Sequence, residues 1–337
     1  MKTPATMPPT MEEEFMLLRR RAALGLLAAP ATARAQSPWP TRPVTFLVPF
    51  APGGASDIVA RAIGNRMAMQ VGQPVAVDNK PAANGQIAAR QLARSAPDGY
   101  TALVGSIGVF ALNAVLYRDP GYDPVRDFAP VTLAVTTPNV LVVHPERVPA
   151  TDLPGVLAWM RANRGNVFHA TSGTGSSPHL TMELFTQVTG TEATHVPSRG
   201  AATAMTDQLA GRTQLSFQGL GTILGPVRDG KLRAILVTSA ERDPLLPDVP
   251  TARECGLTDF EVASWQAVMV PAAVPEDTLR RVHAAVTGAL KDPEVAPRLE
   301  EVGYRVVGNT PAEFAAFQRA EIARWRRVAE AARISLD

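Results

Sequence analysis

The 337-residue sequence predicts an α/β fold. Short apolar runs bounded by Gly, Pro or Asn are followed repeatedly by apolar residues at helical spacing, which is the strand–turn–helix pattern of that class. Hydrophobic residues make up 46% of the chain, enough for a substantial core. The length suits two α/β domains or one large one.

The first element is the apolar run VTFLVPF at 44–50, which predicts a buried strand. Ile58, Val59, Ile63 and Met67 then recur at the spacing of one helix face. A second helix is predicted at 85–93. Further strands are predicted at 74–79, 100–105, 140–145, 167–173, 214–219 and 232–239.

The C-terminal segment predicts a long helix that begins with a capping box at 310–313, TPAE. Its apolar face should contain Phe314, Phe317, Trp325 and Val328. We expect the charged residues to lie mostly on the solvated side, namely Arg319, Glu321, Arg324 and Arg326.

The first 35 residues are typical of an export signal. Three arginines at 19–21 precede the apolar stretch 22–29, and Ala33-Arg34-Ala35 matches the A-x-A cleavage pattern. The apolar stretch is too short to span a bilayer. We therefore predict cleavage after Ala35 and a periplasmic protein, with the Sec and twin-arginine routes both open.

The turn PGGASD at 52–57 lies between the first strand and its helix. Gly53 and Gly54 permit positive φ and close approach of a ligand, and the first helical amides near Ser56 are unpaired and positive. An anion site is one interpretation, and an ordinary helix cap made by Ser56 and Asp57 is the other. A P-loop is excluded because no Lys or Arg occurs between 49 and 59.

The segment HATSGTGSSPHL at 169–180 repeats this pattern with hydroxyl residues and two glycines before a helix. Its candidate donors are Thr171, Ser172, Thr174 and Ser177, and a flexible Ser/Gly connection is the alternative. His179 is interpreted as a structural first-turn residue. Two such loops make convergence on a single anion more plausible than either loop alone.

A third break before a helix contains Ser198, Arg199 and Gly200. Arg199 is a candidate to neutralise a carboxylate, and exposure to solvent is its alternative role. Ser106 and Asn113 follow a strand, where their side chains are candidate donors to a cleft.

Patterns of catalysis, metal binding and nucleic-acid binding are missing from the sequence. It contains no G-x-S-x-G elbow, and its five histidines form no zinc motif. The near balance of 33 basic and 31 acidic residues gives no basic excess for nucleic acid. Cys255 is the single cysteine, which excludes an intramolecular disulfide. We predict no enzymatic activity, no cofactor and no metal.

An ordered set of segments from Trp39 to Trp325 resembles the Bug family, the extracytoplasmic solute receptors of tripartite tricarboxylate transporters. The matching segments include WPTRPVTFLVPFAPGGASDIVAR, GQPVAVDNKPAANGQIAA, PDGYTALVGS, SGTGSSPHL and HVPSRGAATAMTDQLAG. The resemblance implies the type II periplasmic-binding-protein fold, with two α/β lobes around a central ligand cleft. Lobe 1 would be 39–138 plus 262–337, and lobe 2 would be 139–261.

The resemblance also implies a function: a monomeric receptor that binds a small organic carboxylate and delivers it to membrane permease subunits. Sensing for a membrane kinase, or hydrolase or lyase activity on the same scaffold, are the alternatives. The implied contacts are Gly54, Ala55, Ser56 and Asp57, with Ser106 near, and Thr171, Ser172, Thr174 and Ser177, with Ser198, Arg199 and Gly200 near.

Three positions depart from the pattern of the Bug family. Ser198 replaces a common Tyr, Gln218 replaces a common acidic residue, and Asn113 is followed by Ala114 instead of Pro. Loss of the Tyr opens space, and loss of the acid removes repulsion against a second carboxylate. We therefore expect Gln218 and Asn113 among the ligand contacts, and a ligand different from that of members with Tyr and Asp.

Overall fold

The computed structural model describes residues 39–198, 200–332, 334 and 336. The predicted signal segment 1–35 and Arg199 lie outside the described residues.

The strands form one long mixed sheet in the order β2-β1-β3-β9-β4-β7-β5-β6, with β8 and β10 also paired to β4. The strands are β1 Val44–Val48, β2 Val75–Asn79, β3 Thr101–Ser106, β4 Phe128–Val143, β5 Phe168–Thr171, β6 Thr194–Pro197, β7 Leu215–Gly219, β8 Arg233–Val237, β9 Ala263–Pro271 and β10 Arg305–Val306.

Helices alternate with these strands and confirm the predicted α/β class. They are α1 Ala55–Val71, α2 Gln86–Ala93, α3 Asn113–Leu116, α4 Leu153–Ala162, α5 Ser177–Thr189, α6 Ala201–Leu209, α7 Leu220–Arg228, α8 Glu276–Leu290, α9 Ala296–Glu301 and α10 Pro311–Ala332. A 3₁₀ turn at Ala83–Gly85 and a π-helical turn at Gly108–Leu112 complete the connections. Within the described part of the chain, no helix is both long and apolar enough to cross a membrane.

The 16-residue strand β4 joins two halves of the sheet. Its first part pairs antiparallel with β9, ending at the Pro138–Ala263 pair, and its second part pairs with β7, beginning at Asn139–Gly219. The strand predicted at 140–145 is therefore the second half of a longer strand. Pro138 lies where β4 exchanges one partner strand for another. Pattern analysis missed β9 altogether.

Each half of the sheet is covered by helices on both faces, as parallel strands require. In the first half, α1 and α8 cover one face, and α2, the π-helical turn and α10 cover the other. In the second half, α4 and α5 pack on one face and α6 and α7 on the opposite face. The predicted lobe boundaries, 39–138 plus 262–337 and 139–261, stay a prediction.

The long C-terminal helix α10 begins with the predicted capping box. The Thr310 N–H donates to Glu313 Oε2 over 2.9 Å, and the Glu313 N–H donates back to Thr310 Oγ1 over 3.3 Å. The prediction that Glu321 is solvated is wrong. Glu321 is buried and accepts hydrogen bonds from the indole N–H groups of Trp265 and Trp325. Helical periodicity could not reveal this acceptor, because one donor comes from β9, 56 residues away.

Candidate ligand-binding site

A cavity of about 100 Å³ lies between segments of the two sheet halves. The first half contributes Ala55, Ser264 and Tyr304, and the second half contributes the loop after β5 and the junction between β7 and α7. Among its described lining residues none is Asp, Glu, Lys, Arg or His. They are Ala55, Thr137, Asn139, Ser172, Pro178, Ala201, Gln218, Gly219, Gly221, Thr222, Ser264 and Tyr304.

Four helices begin at this cavity. Ala55 and Ala201 are the first residues of α1 and α6, and Pro178 and Gly221 are the second residues of α5 and α7. None of the four N-cap residues supplies a side-chain hydrogen bond to its helix. The first-turn amides therefore keep their partial positive charge, and the cavity is electropositive without a basic side chain.

Hydrogen bonds to the Asp57 carboxylate fix the loop before α1. This buried carboxylate accepts from the Gly53 N–H over 2.9 Å, from Arg61 Nε over 2.9 Å and from Asn79 Nδ2 over 2.9 Å. Burial alone would raise the pKa of Asp57, but these donors, Arg61 foremost, together hold that pKa below its ordinary value. Gly53 has a φ of 80°, which favours glycine.

Ser56 is also engaged away from the cavity, because its buried hydroxyl donates to Gln266 Oε1 on β9 over 2.6 Å. Of the predicted contacts in this loop, Ala55 lines the cavity and Gly54 is the N-cap residue of α1. Ser56 and Asp57 direct their side chains to other partners, so they can meet a ligand only through backbone amides.

The loop after β5 has a similar internal framework. Ser176 Oγ donates to the Gly173 carbonyl over 2.6 Å, and Thr171 Oγ1 lies 2.6 Å from His195 Nε2. The Gly175 N–H donates to His179 Nδ1 over 3.2 Å, which gives His179 a structural role. Ser172 is the predicted residue of this loop that lines the cavity.

Three histidines stack beside this loop, an arrangement that the sequence did not reveal. His195 lies between the other two rings, with centroid distances of 3.9 Å to His179 and 5.1 Å to His169. Burial lowers the pKa of His169 to about 3 and those of His179 and His195 to about 4, with repulsion inside the cluster adding to the effect for His169 and His179. All three rings are therefore neutral at pH 7.

Crossing strands supply the deep wall of the cavity, which sequence reasoning missed except for Gln218. Thr137 and Asn139 come from β4, and Ser264 from β9. Tyr304 is buried, and burial raises its pKa to about 12, so its hydroxyl stays protonated. No turn motif marks these residues in the sequence, because they reach the cavity only through the pairing of distant strands.

The remaining predicted residues that the structure describes are not among those that line this cavity. Asn113 is buried, and its amide bonds with Asn84 and Tyr122, so it is already satisfied. Ser106 ends β3 opposite Gln266. Ser198 donates its amide to the Thr171 carbonyl, and Gly200, with a φ of 139°, is the N-cap residue of α6. Thr174 is half-buried in the loop after β5, and Ser177 Oγ lies 2.9 Å from Asn139 Nδ2.

Together, the sheet and its polar, uncharged cavity define a ligand-binding protein of the two-lobed periplasmic type. The chain belongs to the tripartite tricarboxylate transporter receptor family, whose model matches residues 59–334. The protein BugT of Bordetella pertussis is 33% identical over 303 residues, which is 90% of this chain and 92% of BugT. The predicted membership of the Bug family is confirmed.

Solved structures of relatives have the same fold. Rpa4515 of R. palustris, solved with adipate, is 36% identical with a TM-score of 0.83 and covers 88% of this chain and 99% of its own. MatC of Rhodopseudomonas palustris, solved with bound malate, is 34% identical with a TM-score of 0.80, covering 86% and 99%. The predicted periplasmic-binding-protein fold is therefore confirmed, and the chain is a solute-binding protein and not an enzyme.

Proposed function

We propose that this protein is a monomeric periplasmic receptor that captures a small organic carboxylate and delivers it to a membrane permease. The observation that carries the proposal is the convergence of four helix N-termini, without side-chain caps, on an uncharged polar cavity. Such amides hold an anion without any basic side chain. An acid with one or two carboxylate groups suits these helix N-termini better than a phosphate, which is usually bound by Lys or Arg.

The comparisons support the chemical class of the ligand. Two relatives more than 30% identical to this chain were solved with the dicarboxylates adipate and malate. The family description names a receptor of a tripartite tricarboxylate transporter, which supports a permease as the partner. The predicted signal segment 1–35 supports export to the periplasm.

The proposed mechanism is closure of two lobes, 39–138 plus 262–337 and 139–261. A ligand in the cavity would contact amides at 55–57 from one lobe and at 172, 174, 177 and 201 from the other. The ligand makes both sets of contacts only in the closed form. It therefore stabilises the closed form by the difference between its binding free energies to the closed and open forms. The permease would then recognise the closed surface.

A thermal-shift screen of the chain from residue 36 onward tests ligand capture. Malate, adipate and other small acids are compared with their uncharged amides at equal concentrations. An acid at 100 times its dissociation constant should add about 2.7 kcal/mol to the free energy of unfolding. Stabilisation by the uncharged amides but not by the acids would contradict the proposal.

Substitution at the start of α6 tests the role of the helix N-termini. Ala201→Asp adds a negative charge that the helix N-terminus itself tolerates, but it repels an anionic ligand. Ala201→Asn has nearly the same shape without the charge. We expect the Asp variant to bind the acid at least tenfold more weakly than the Asn variant, by calorimetry. Equal affinities of the two variants would contradict anion binding at this cavity.

Deletion of the gene tests the delivery step. Cells without the receptor should lose uptake of the acid that the thermal screen identifies. Unchanged uptake together with a lost transcriptional response to that acid would favour sensing over transport.

A further inference from the structure

We infer that the ligand carries, besides its carboxylate, at least one neutral hydrogen-bond donor, a hydroxyl group, which donates to Gln218 Oε1 in the deep wall, where Asn139 Oδ1 can accept from a second such donor. This inference rests on the proposed function. It adds that the receptor distinguishes among acids by a hydroxyl substituent on the ligand. The observation behind it is that Asn139 Oδ1, Gln218 Oε1 and Thr137 Oγ1 are buried at the cavity without a hydrogen-bond partner among the described residues.

The side-chain amide of Asn139 has a defined orientation. Its Nδ2 lies 2.8 Å from Thr181 Oγ1 and 2.9 Å from Ser177 Oγ. Thr181 Oγ1 donates its proton to the Ser177 carbonyl over 2.7 Å, so it can only accept a hydrogen bond from Asn139. The nitrogen of Asn139 must therefore face Thr181, and its oxygen is left for the cavity.

Gln218 is oriented in the same way. Its Nε2 lies 3.5 Å from the Ala170 carbonyl, and a flipped amide would place two oxygens against each other there. Both Gln218 and Asn139 have 0% exposure, so bulk water does not reach these side chains freely. Two buried acceptor oxygens on residues that line the cavity thus lack a hydrogen-bond donor, which is unfavourable for each of them.

The charge balance of the wall selects the kind of donor. A second carboxylate would be repelled by two amide oxygens, which offer it no proton. A buried ammonium would need a counter-charge, but among the described lining residues there is no Asp or Glu. A hydroxyl satisfies an acceptor without adding charge, and the Thr137 hydroxyl can donate to it in return.

A panel of acids in matched sets tests this inference. Each set keeps one carbon skeleton and carries hydrogen, hydroxyl or ammonium at one position, as in succinate, malate and aspartate, or butyrate, 4-hydroxybutyrate and 4-aminobutyrate. Dissociation constants are measured by calorimetry on the chain from residue 36 onward. Within the sets that bind, we expect the hydroxy acid to bind at least tenfold more tightly than both counterparts, which corresponds to 1.4 kcal/mol.

Two variants of Gln218 test whether its side-chain oxygen accepts the hydrogen bond from the ligand hydroxyl. Gln218→Met keeps the length but removes the acceptor, so the preference for hydroxyl over hydrogen should fall at least threefold. Gln218→Glu keeps acceptors and adds a charge, so the ratio of ammonium to hydroxyl affinity should rise at least tenfold. Gln91→Met on the exposed side of α2 is the matched control and should leave both ratios unchanged.

The outcomes separate this inference from the proposed function. If the acids bind but the hydroxyl makes less than a threefold difference, ordered water satisfies both oxygens and the inference is overturned. A wild-type preference for the ammonium acid overturns it as well. If no acid of any set binds, the proposed function fails and the inference falls with it. Folding of each variant is checked from its unfolding curve without ligand.

Discussion

The histidine stack predicts a loss of stability between pH 7.5 and 5.5. His169, His179 and His195 lie with ring centroids between 3.9 and 6.5 Å apart, and His169 has 0% exposure with both ring nitrogens lacking hydrogen bonds. The pKa values of all three are depressed in the folded state, to about 3, 4 and 4. The unfolded chain therefore takes up protons first as the pH falls, and stability decreases.

The magnitude follows from the ordinary histidine pKa of 6.5 and these folded-state pKa values. Each histidine should contribute about 1 kcal/mol or slightly more of lost unfolding free energy at pH 5.5 relative to pH 7.5, and the three together about 4 kcal/mol. The facing Glu183, 3.6 Å from His179, opposes this loss, because burial raises its pKa and favours its protonated form in the folded state. We therefore expect a loss of about 2–4 kcal/mol.

Urea unfolding at 25 °C and at each pH measures this difference, provided that the m-value stays constant. In His169→Phe the loss between the two pH values should shrink by about 1 kcal/mol, since one site with a depressed pKa is gone. The unfolding free energy of each variant is compared between the two pH values, so that a packing cost of the larger ring, which is the same at both, cancels. His283→Gln on α8, outside the stack, gives the baseline for removing a histidine. An unchanged unfolding free energy from pH 7.5 to 5.5, or the same loss in His169→Phe, would refute this account of the stack.

Two further predictions concern the folding of the chain. Glu321→Ala should cost about 2–4 kcal/mol of unfolding free energy, because two buried indole N–H groups lose their acceptor, whereas Glu321→Gln keeps one oxygen and should cost less. Equal urea midpoints for the two variants would show that the indoles do not need this acceptor. Gly85→Ala should destabilise by more than about 2 kcal/mol, because its φ is 83° and a Cβ would lie 2.6 Å from Val109 and 2.8 Å from Pro49. At Gly72, with a φ of 68° and open space, the same substitution should cost only about 1 kcal/mol, and similar melting temperatures for the two variants would contradict the steric argument.

Local chemistry made much of this protein predictable from its sequence. The strands β1, β2, β3, β5, β7 and β8 appear within two residues of the predicted runs, and α10 begins at its capping box. Glycines at 53 and 200 lie where a turn with positive φ precedes a helix. These features depend on neighbours a few residues apart, so the sequence by itself determined these elements and the loops that begin α1, α5 and α6.

The tertiary structure alone decided which side chains of those loops face the cavity. Asp57 bonds to Asn79 on β2, and Ser56 bonds to Gln266 on β9. The side-chain amide of Asn113 bonds with Asn84 and Tyr122. The deep acceptors Asn139 and Gln218 meet the cavity because β4 changes partner at Pro138, and the histidines stack because β5, β6 and α5 pack together. The physical reason is that hydrogen-bond satisfaction and burial depend on contacts between residues tens to hundreds of positions apart, which no local pattern encodes.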